Sequence, residues 1–402
     1  MAVAEKLRSD IDEILPGVIA DRRHLHEHPE LGFQEVETAK FVTQRLKSLG
    51  VEDIQTGINK TGVTGLIKGT GSAKGTAAEK VVLLRADMDA LPILEENQVD
   101  YVSQNPGVMH ACGHDAHTSI LLGVARMLVD RKAEFAGTVK VLFQPAEEMF
   151  PGGANGMIQE GVLENPHVDA VFGLHMAQDS RLGTILVGSG PVMAAADSFQ
   201  VTIKGKGGHG AYPQHCIDPV VIGAQMIVAL QTLVSREVNP MDAAVVSVCA
   251  FNSGDAFNVI PDIAKLGGTV RTFNPEVRDL LERRIVEVAN AIGSAGGATI
   301  DAVYSRGYPA TVNEPEHTAI VHEAAVEVVG ADNVIDMVPV MGAEDFSYFL
   351  QHRPGSYFFV GSKNVEKGLV WGHHHPKFDI DEESLGIGIE TTVRTVLKYL
   401  SK

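Results

Sequence analysis

The chain has 402 residues, with 33 Lys+Arg against 51 Asp+Glu and a formal net charge of −18. Its 45% apolar content excludes a disordered chain, and at roughly 150 residues per domain the length implies two to three domains with real cores. The acidic excess excludes nonspecific binding to nucleic acid or to an anionic membrane, since basic surface drives both.

The N-terminal fifty residues read as helix, first through SDIDEILPGVIADRRHLHEH and then from Glu35 to Leu49, where Val36, Ala39, Val42 and Leu46 share a face. No signal-type apolar run opens the chain. The longest apolar stretch, Val220 to Val234, is broken by Gln225 and Gln231 and reads as a core helix rather than a membrane span. Three dispersed cysteines, Cys112, Cys216 and Cys249, lack Cys-x-x-Cys spacing, so a reducing, cytoplasmic setting is expected.

After Gly50 the pattern turns to strands. GVTGLIKG and the Gly/Ala/Lys-rich link GTGSAKGTAAEK lead to Val81–Leu84, a run without alternation that predicts a strand buried on both faces. Val139–Phe143, Ala170–Leu174 and Tyr357–Val360 have the same texture, with helical stretches between them, so a doubly wound α/β sheet is expected. Near Gly190 the texture changes. DSFQVTIKGKGG alternates, a helix follows over Ile217–Ser235, then two strands, a helix from Pro275 to about Ala291, and the strand ATIDAVYS. That order is βαββαβ, a ferredoxin-like split motif. The expected architecture is an α/β metallopeptidase-like domain over 1–190 and 307–402, interrupted by a smaller α+β domain over 191–306.

Chemistry gathers at the expected strand ends. His110-Ala-Cys112-Gly-His114-Asp115-Ala-His117-Thr118 packs five potential ligands into a loop and first helical turn, with Asp115 or Thr118 as plausible caps. Thiolate and imidazole are ligands of the zinc class, also compatible with nickel or manganese. Arg85-Ala-Asp87-Met-Asp89, Gln144-Pro-Ala-Glu147-Glu148 and His175 each follow an apolar strand, where open α/β sheets build their sites. Consecutive extended residues point opposite ways, so one of Glu147 and Glu148 can ligate a cation while the other handles protons. Asp87 and Asp89 are expected to face the same cations. Trp371-Gly-His373-His374-His375-Pro offers at least one further ligand. In the insertion, His209 stands in a Gly-rich turn, Asn258 precedes Val-Ile-Pro, and Arg271 sits on an apolar strand, either paired internally or recognising an anion such as a carboxylate.

These segments, with RHLHEHPEL, LRADMDALP, GKGGHGAYP, NVIPD, GTVRT, GAEDFSYF and HHHPKFD, resemble the aminoacylase/hippurate hydrolase family of dinuclear metallo-amidohydrolases, which includes auxin-conjugate hydrolases. The resemblance covers nearly the whole chain. It implies a hydrolase that cleaves N-acyl or N-aroyl amino acids to a carboxylic acid and an amino acid. A dipeptidase or an N-acetyl-diaminopimelate-type deacetylase is the alternative on the same scaffold. It implies two divalent ions per subunit (zinc, manganese, nickel or cobalt) on Cys112, His114, Glu148, His175 and His374, with His375 the competing candidate. Glu147 matches the general base and Asp89 a carboxylate that orients the site. His209 matches a lid-domain histidine that in many relatives reaches the partner subunit's site and stabilises the oxyanion. Asn258 and Arg271 match groups that hold the substrate carboxylate. A homodimer or dimer-based oligomer is implied, with the insertion as lid and dimerisation domain. Glu344 and Asp345 are left open between site and packing roles, and His24, His26 and His28 read as structural.

Overall fold

A computed structural model describes residues 2–71 and 79–401, with side chains from Lys6 onward; residues 72–78 of the Gly/Ala/Lys-rich link lie outside the described residues. The chain divides into two units, Met1–Val192 with Val312–Val338 and Asp345–Lys402, and Met193–Thr311 with Pro339–Glu344. The expected boundaries at 190/191 and 306/307 therefore shift. Ala196 N donates to Tyr308 O (2.9 Å), and Ala194 N to the carbonyls of Val340 (3.1 Å) and Gly342 (2.9 Å), so both flanking segments join the smaller unit.

The larger unit begins with α1 (Ala2–Glu27) and α2 (Val36–Leu49), then β1 (Glu52–Ile58), β2 (Gly62–Lys68), β3 (Val81–Asp87), α3 (His114–Val129), β4 (Thr138–Gln144), α4 (Ala154–Gln159), β5 (Ala170–Arg181) and β6 (Ile185–Val187). β7 (Gly190–Met193) leads into the insertion, which holds β8 (Ala195–Lys204), β9 (Gly208–His209), α5 (Pro219–Thr232), β10 (Ala244–Asn252), β11 (Val259–Ile260), β12 (Ile263–Thr272), α6 (Pro275–Ala295) and β13 (Thr299–Ser305). β14 (Thr311–Asn313) leads back to α7 (Pro315–Val329), β15 (Val334–Asp336), α8 (Ser347–His352), β16 (Gly355–Lys363) and α9 (Glu383–Ser401).

The eight-stranded sheet has the order β1-β2-β4-β3-β5-β16-β6-β15. Its centre, β4-β3-β5-β16, is parallel, while β1, β2 and β6 make antiparallel contacts. The run Val82-Leu83-Leu84 is buried throughout, as a strand covered on both faces must be. One core joins Val82, Val141, Phe172 and Phe358 of the sheet to Ile120 of α3, Val321 of α7 and Val393 of α9. Gly355 is required at the start of β16, because a Cβ there would lie 1.9 Å from Val171 O on the paired strand. The smaller unit's sheet, β10-β12-β8-β13, has the antiparallel ferredoxin-like order, over a core of Phe199, Val201, Met226, Leu230, Leu281 and Ile285. α5 ends at Thr232 and passes into a π turn, Leu233–Glu237.

Two local expectations need correction. Neither Asp115 nor Thr118 caps α3; the helix starts at His114 behind Gly113, whose φ of +88° makes the entry turn. The Asp115 side chain instead accepts from Arg22 Nε (2.8 Å) and pairs with His26 Nδ1 (2.8 Å). Arg22, fully buried, also donates to Asp379 (2.7 Å), and His26 reaches Glu95 (3.1 Å). This buried cluster ties α1 to the start of α3 and to the segment ahead of α9.

Arg22→Ala leaves Asp115 and Asp379 buried without their shared cation. A loss of about 3–5 kcal/mol is expected, read as a lowered thermal midpoint. Burial alone would lower the pKa of His26, but Asp115 and Glu95 outweigh it and lift it to about 9, from 6.5. The folded value lies above the unfolded one, so this stabilisation is complete below about pH 6.5 and is lost as pH rises through 9. The thermal midpoint of the unaltered protein should fall across that window more steeply than that of His26→Gln; equal slopes would contradict the assignment.

Candidate metal centre and active site

Asp89 organises the site. The chain leaves β3 at Asp87, and Met88 N donates to Gln144 O (2.9 Å), which keeps the β3 and β4 exits side by side. The buried Asp89 carboxylate then accepts from Glu147 N on Oδ1 (3.0 Å) and from Glu148 N on Oδ2 (2.9 Å). His114 Nδ1 lies 2.9 Å from the Asp89 carbonyl and 3.3 Å from its Oδ1. Four acceptor contacts on three oxygens of one residue thus fix the orientation of His114 and the course of the Glu147-Glu148 backbone.

The five residues expected as ligands come together. Ligand atoms of Cys112, His114 and His175 all lie within 4.8 Å of one another, as do those of Cys112, Glu148 and His374, so Cys112 belongs to both groups. Glu147 forms a further group with His114 and Glu148. Two of the three histidines are set in a ligating tautomer. With His114 Nδ1 donating to Asp89, its Nε2 is buried and makes no hydrogen bond. His175 Nδ1 donates to Met176 O (2.7 Å), which leaves Nε2 aimed at Cys112 Sγ, 3.6 Å away. His374 Nε2 lies 3.0 Å from Glu148 Oε1. His375 is directed elsewhere: its ring stacks on Trp371 (centroids 4.3 Å) and its Nδ1 accepts from Lys377 N (3.0 Å). The left-handed backbone at His374, φ +62°, makes this division possible.

The electrostatics of the cluster call for a cation. Burial, with Glu148 and Glu147 beside it, pushes the Cys112 thiol up. Burial would lower His114, yet Asp87 and Asp89 raise it to about 10. A thiol held protonated, an imidazole held charged and a buried ring nitrogen without a hydrogen bond are what a donor set rich in negative potential gives when considered alone. Divalent cations reverse each of these, because a bound metal deprotonates a coordinating thiol and takes the neutral imidazole lone pair. The donor set fits such ions.

Several expected participants have other duties. His117 donates from Nδ1 to Asp87 (2.6 Å) and accepts Met176 N on Nε2 (2.9 Å), so neither ring nitrogen is available to a metal. Asp87's second oxygen takes Arg85 Nη1 (2.6 Å) and lies 3.7 Å from His114 Nε2, so Asp87 stands beside a candidate ligand nitrogen while paired to Arg85. Arg85 continues to Asp345 (2.9 Å), which also accepts from Gln144 Nε2 (2.7 Å) and Ala154 N (3.0 Å), so Asp345 belongs to a buried network behind the site. His175 lies inside β5 rather than past a strand end, because β5 stays paired with β16 through Ala177. Sequence reasoning missed Glu35, Arg85 and Arg22 as supports. Only their motif neighbourhoods, GFQE, LRAD and DRRH, signalled them.

In the smaller unit, His209 and Asn258 are neighbours. His209 pairs with Val259 across β9 and β11, and Gly210 N donates to Asn258 O (2.8 Å). His209 is exposed, with Nδ1 accepting Ala211 N (3.1 Å). Arg271, half-buried on β12, donates to the Thr269 hydroxyl and the Val270 carbonyl; among the described residues no carboxylate bonds its guanidinium. Burial lowers its pKa.

The fold and the donor set define a metal-binding α/β hydrolase. The model of Peptidase family M20/M25/M40 matches residues 83–398. The chain is 42% identical to IAA-amino acid hydrolase ILR1-like 4 of Arabidopsis thaliana over 397 residues, 98% of this chain and 87% of the relative. It is 42% identical over 368 residues to N-acetyl-L-cysteine deacetylase of Bacillus subtilis (strain 168), covering 92% and 84% respectively. A crystal structure of the Bacillus subtilis YXEP protein, described as a dinuclear metal binding peptidase from the M20 family, superposes with a TM-score of 0.83 at 35% identity, covering 97% of this chain and 99% of that one. The chain belongs to Peptidase family M20/M25/M40 and is a hydrolase acting on amides.

Cys112 is the donor common to both ligand groups, so its loss should disturb both. Cys112→Ala is expected to hold fewer than two metal equivalents after dialysis against micromolar metal, by elemental analysis. Two full equivalents would contradict the shared assignment.

Proposed function

We propose that the chain hydrolyses the amide bond of N-acyl or N-aroyl amino acids, releasing a carboxylic acid and a free amino acid, with two divalent ions on Cys112, His114, Glu148, His175 and His374. The observation that carries this reading is the buried Glu147, grouped with His114 and Glu148 and held through its amide by Asp89. When bound, the ions would supply Lewis acidity to the attacking water and to the scissile carbonyl. Glu147 takes the proton from the attacking water and returns it to the departing nitrogen, a transfer that general bases make about 10²–10⁴-fold faster. Asp89 keeps Glu147 and Glu148 on their separate tasks by fixing both amides. Arg271, which no carboxylate bonds among the described residues, suits the α-carboxylate of the amino-acid product, with Asn258 as the second polar contact. His209 supplies a donor to the developing oxyanion.

The names of the two relatives support an acyl group on an amino-acid nitrogen as the substrate class. The only tryptophan, Trp371, is 43% exposed three residues before His374 and stacks on His375, a flat apolar surface that suits an aromatic acyl group. A homodimer belongs to the same proposal. β10 is an edge of its sheet, and α5 leaves Val221 and Val228 exposed beside buried Ile222 and Met226, an apolar face that a second copy can cover. The free cysteines accord with a reducing, cytoplasmic setting.

Glu147→Gln should keep its metal and lose about 10²–10⁴-fold in kcat on hippurate or N-acetyl amino acids. Undiminished turnover would overturn the mechanism. Mixing Glu147→Gln with His209→Ala should restore activity if His209 acts on the partner's site. Proven heterodimers without recovery would mean that each subunit uses its own His209.

A further inference from the structure

The turn that carries Glu147 is strained. Ala146 has φ of +53°, a left-handed conformation in which the Cβ of an alanine crowds the following carbonyl oxygen. It is fully buried, so solvent does not hold it there. Something must fix this backbone, because the conformation at 146 sets the direction in which the next side chain leaves. Asp89 secures the amides of Glu147 and Glu148 but makes no contact with that of Ala146.

The Ala146 amide donates instead to Glu35 Oε1, at 2.8 Å. Glu35 belongs to the N-terminal PELGFQE segment, 111 residues away in sequence, and is fully buried. Its Oε1 also accepts Phe33 N (2.9 Å), and its Oε2 accepts the Thr61 hydroxyl (2.6 Å). The segment is seated closely. Ala90 N donates to Glu30 O (2.8 Å), and a Cβ on Gly32 would meet the Cβ of Ala146 at 3.1 Å. Three successive amides, 146, 147 and 148, thus point at two buried carboxylates, as successive backbone N–H groups in a nest bind an anion. Burial pushes Glu35 up to about 7.

We propose that Glu35 is a positioning residue for Glu147: its carboxylate holds the Ala146 amide and so fixes the left-handed turn that aims the general base. The proposal rests on Glu147 acting as the base. Glu35 touches no reacting atom and acts only through the turn.

The test is a double-mutant cycle on hippurate and N-acetylmethionine, with metal content and thermal midpoint measured for every variant. Glu35→Ala should lower kcat about 10- to 100-fold with KM changed less than threefold and metal content unchanged. Glu35→Gln, which keeps an acceptor for Ala146 N, should recover most of the rate. In a Glu147→Gln background, Glu35→Ala should cost nothing further, because the group it aims is already disabled. Wild-type kcat in Glu35→Ala would overturn the proposal, as would an equal loss in both backgrounds or a loss confined to KM. If Glu35→Ala does not fold, Glu35→Asp, one methylene short of Ala146, replaces it in the cycle, and the same outcomes support or overturn the proposal. Full activity in Glu147→Gln alone would refute the function of Glu147 and is read separately from the Glu35 arms.

Discussion

The buried Asp89 carboxylate holds the site in register. It accepts the amides of Glu147 and Glu148 and lies against His114, so one buried carboxylate sets the proposed general base, one proposed ligand and the tautomer of another. Its position follows from the fold. β3 and β4 run parallel and leave the sheet at the same level, with Asp87 opposite Gln144. Two exit turns from adjacent parallel strands are therefore placed to bind each other, and Asp89 makes the bond.

Around it the protein concentrates buried charge and then neutralises it in layers. Arg85 answers Asp87 and Asp345 beneath the site, and Arg22 with His26 answers Asp115 and Asp379 beside it. Each carboxylate in these supporting layers has a protein cation or amide against it. Cys112, Glu148 and the ring nitrogens of His114 and His175 form the layer where protein cations give out and a metal fits. Removing charge from the supports should therefore reach the site through geometry, since the supports hold the segments that carry the proposed ligands. The N-terminal helix takes part in this through Arg22 and His26, and the loop after it through Glu35.

Much of this was legible in the sequence, and the boundary of legibility has physical causes. Unalternating runs such as Val81–Leu84 announced doubly covered strands, and the βαββαβ order of the insertion followed from where periodicity changed. Cys112 and His114 stood out because thiol and imidazole at that density have few other uses. The choice between His374 and His375 was not legible, since it turns on a positive φ at His374 and a stacking partner four residues back. His175 was expected past a strand end, but strand length depends on the partner strand and not on the apolar run. The pairing of Asp87 with Arg85 was not legible, because composition cannot show a guanidinium folding back onto a carboxylate two residues on. Glu35 and Arg22 act across 111 and 93 residues, distances at which no local pattern speaks. The histidines near them were visible, yet their part in the structure was not.

The proposed chemistry requires that Cys112 be shared between two cation positions built from these five side chains. Anomalous diffraction from crystals stripped with chelator and reloaded with zinc or manganese reads this without relying on turnover. Two peaks about 3.5–4 Å apart are expected, both within bonding distance of Cys112 Sγ, one toward His114 and His175 and the other toward Glu148 and His374. A single peak, or a metal bound by His117 or His375 in place of these ligands, would contradict the shared position of Cys112.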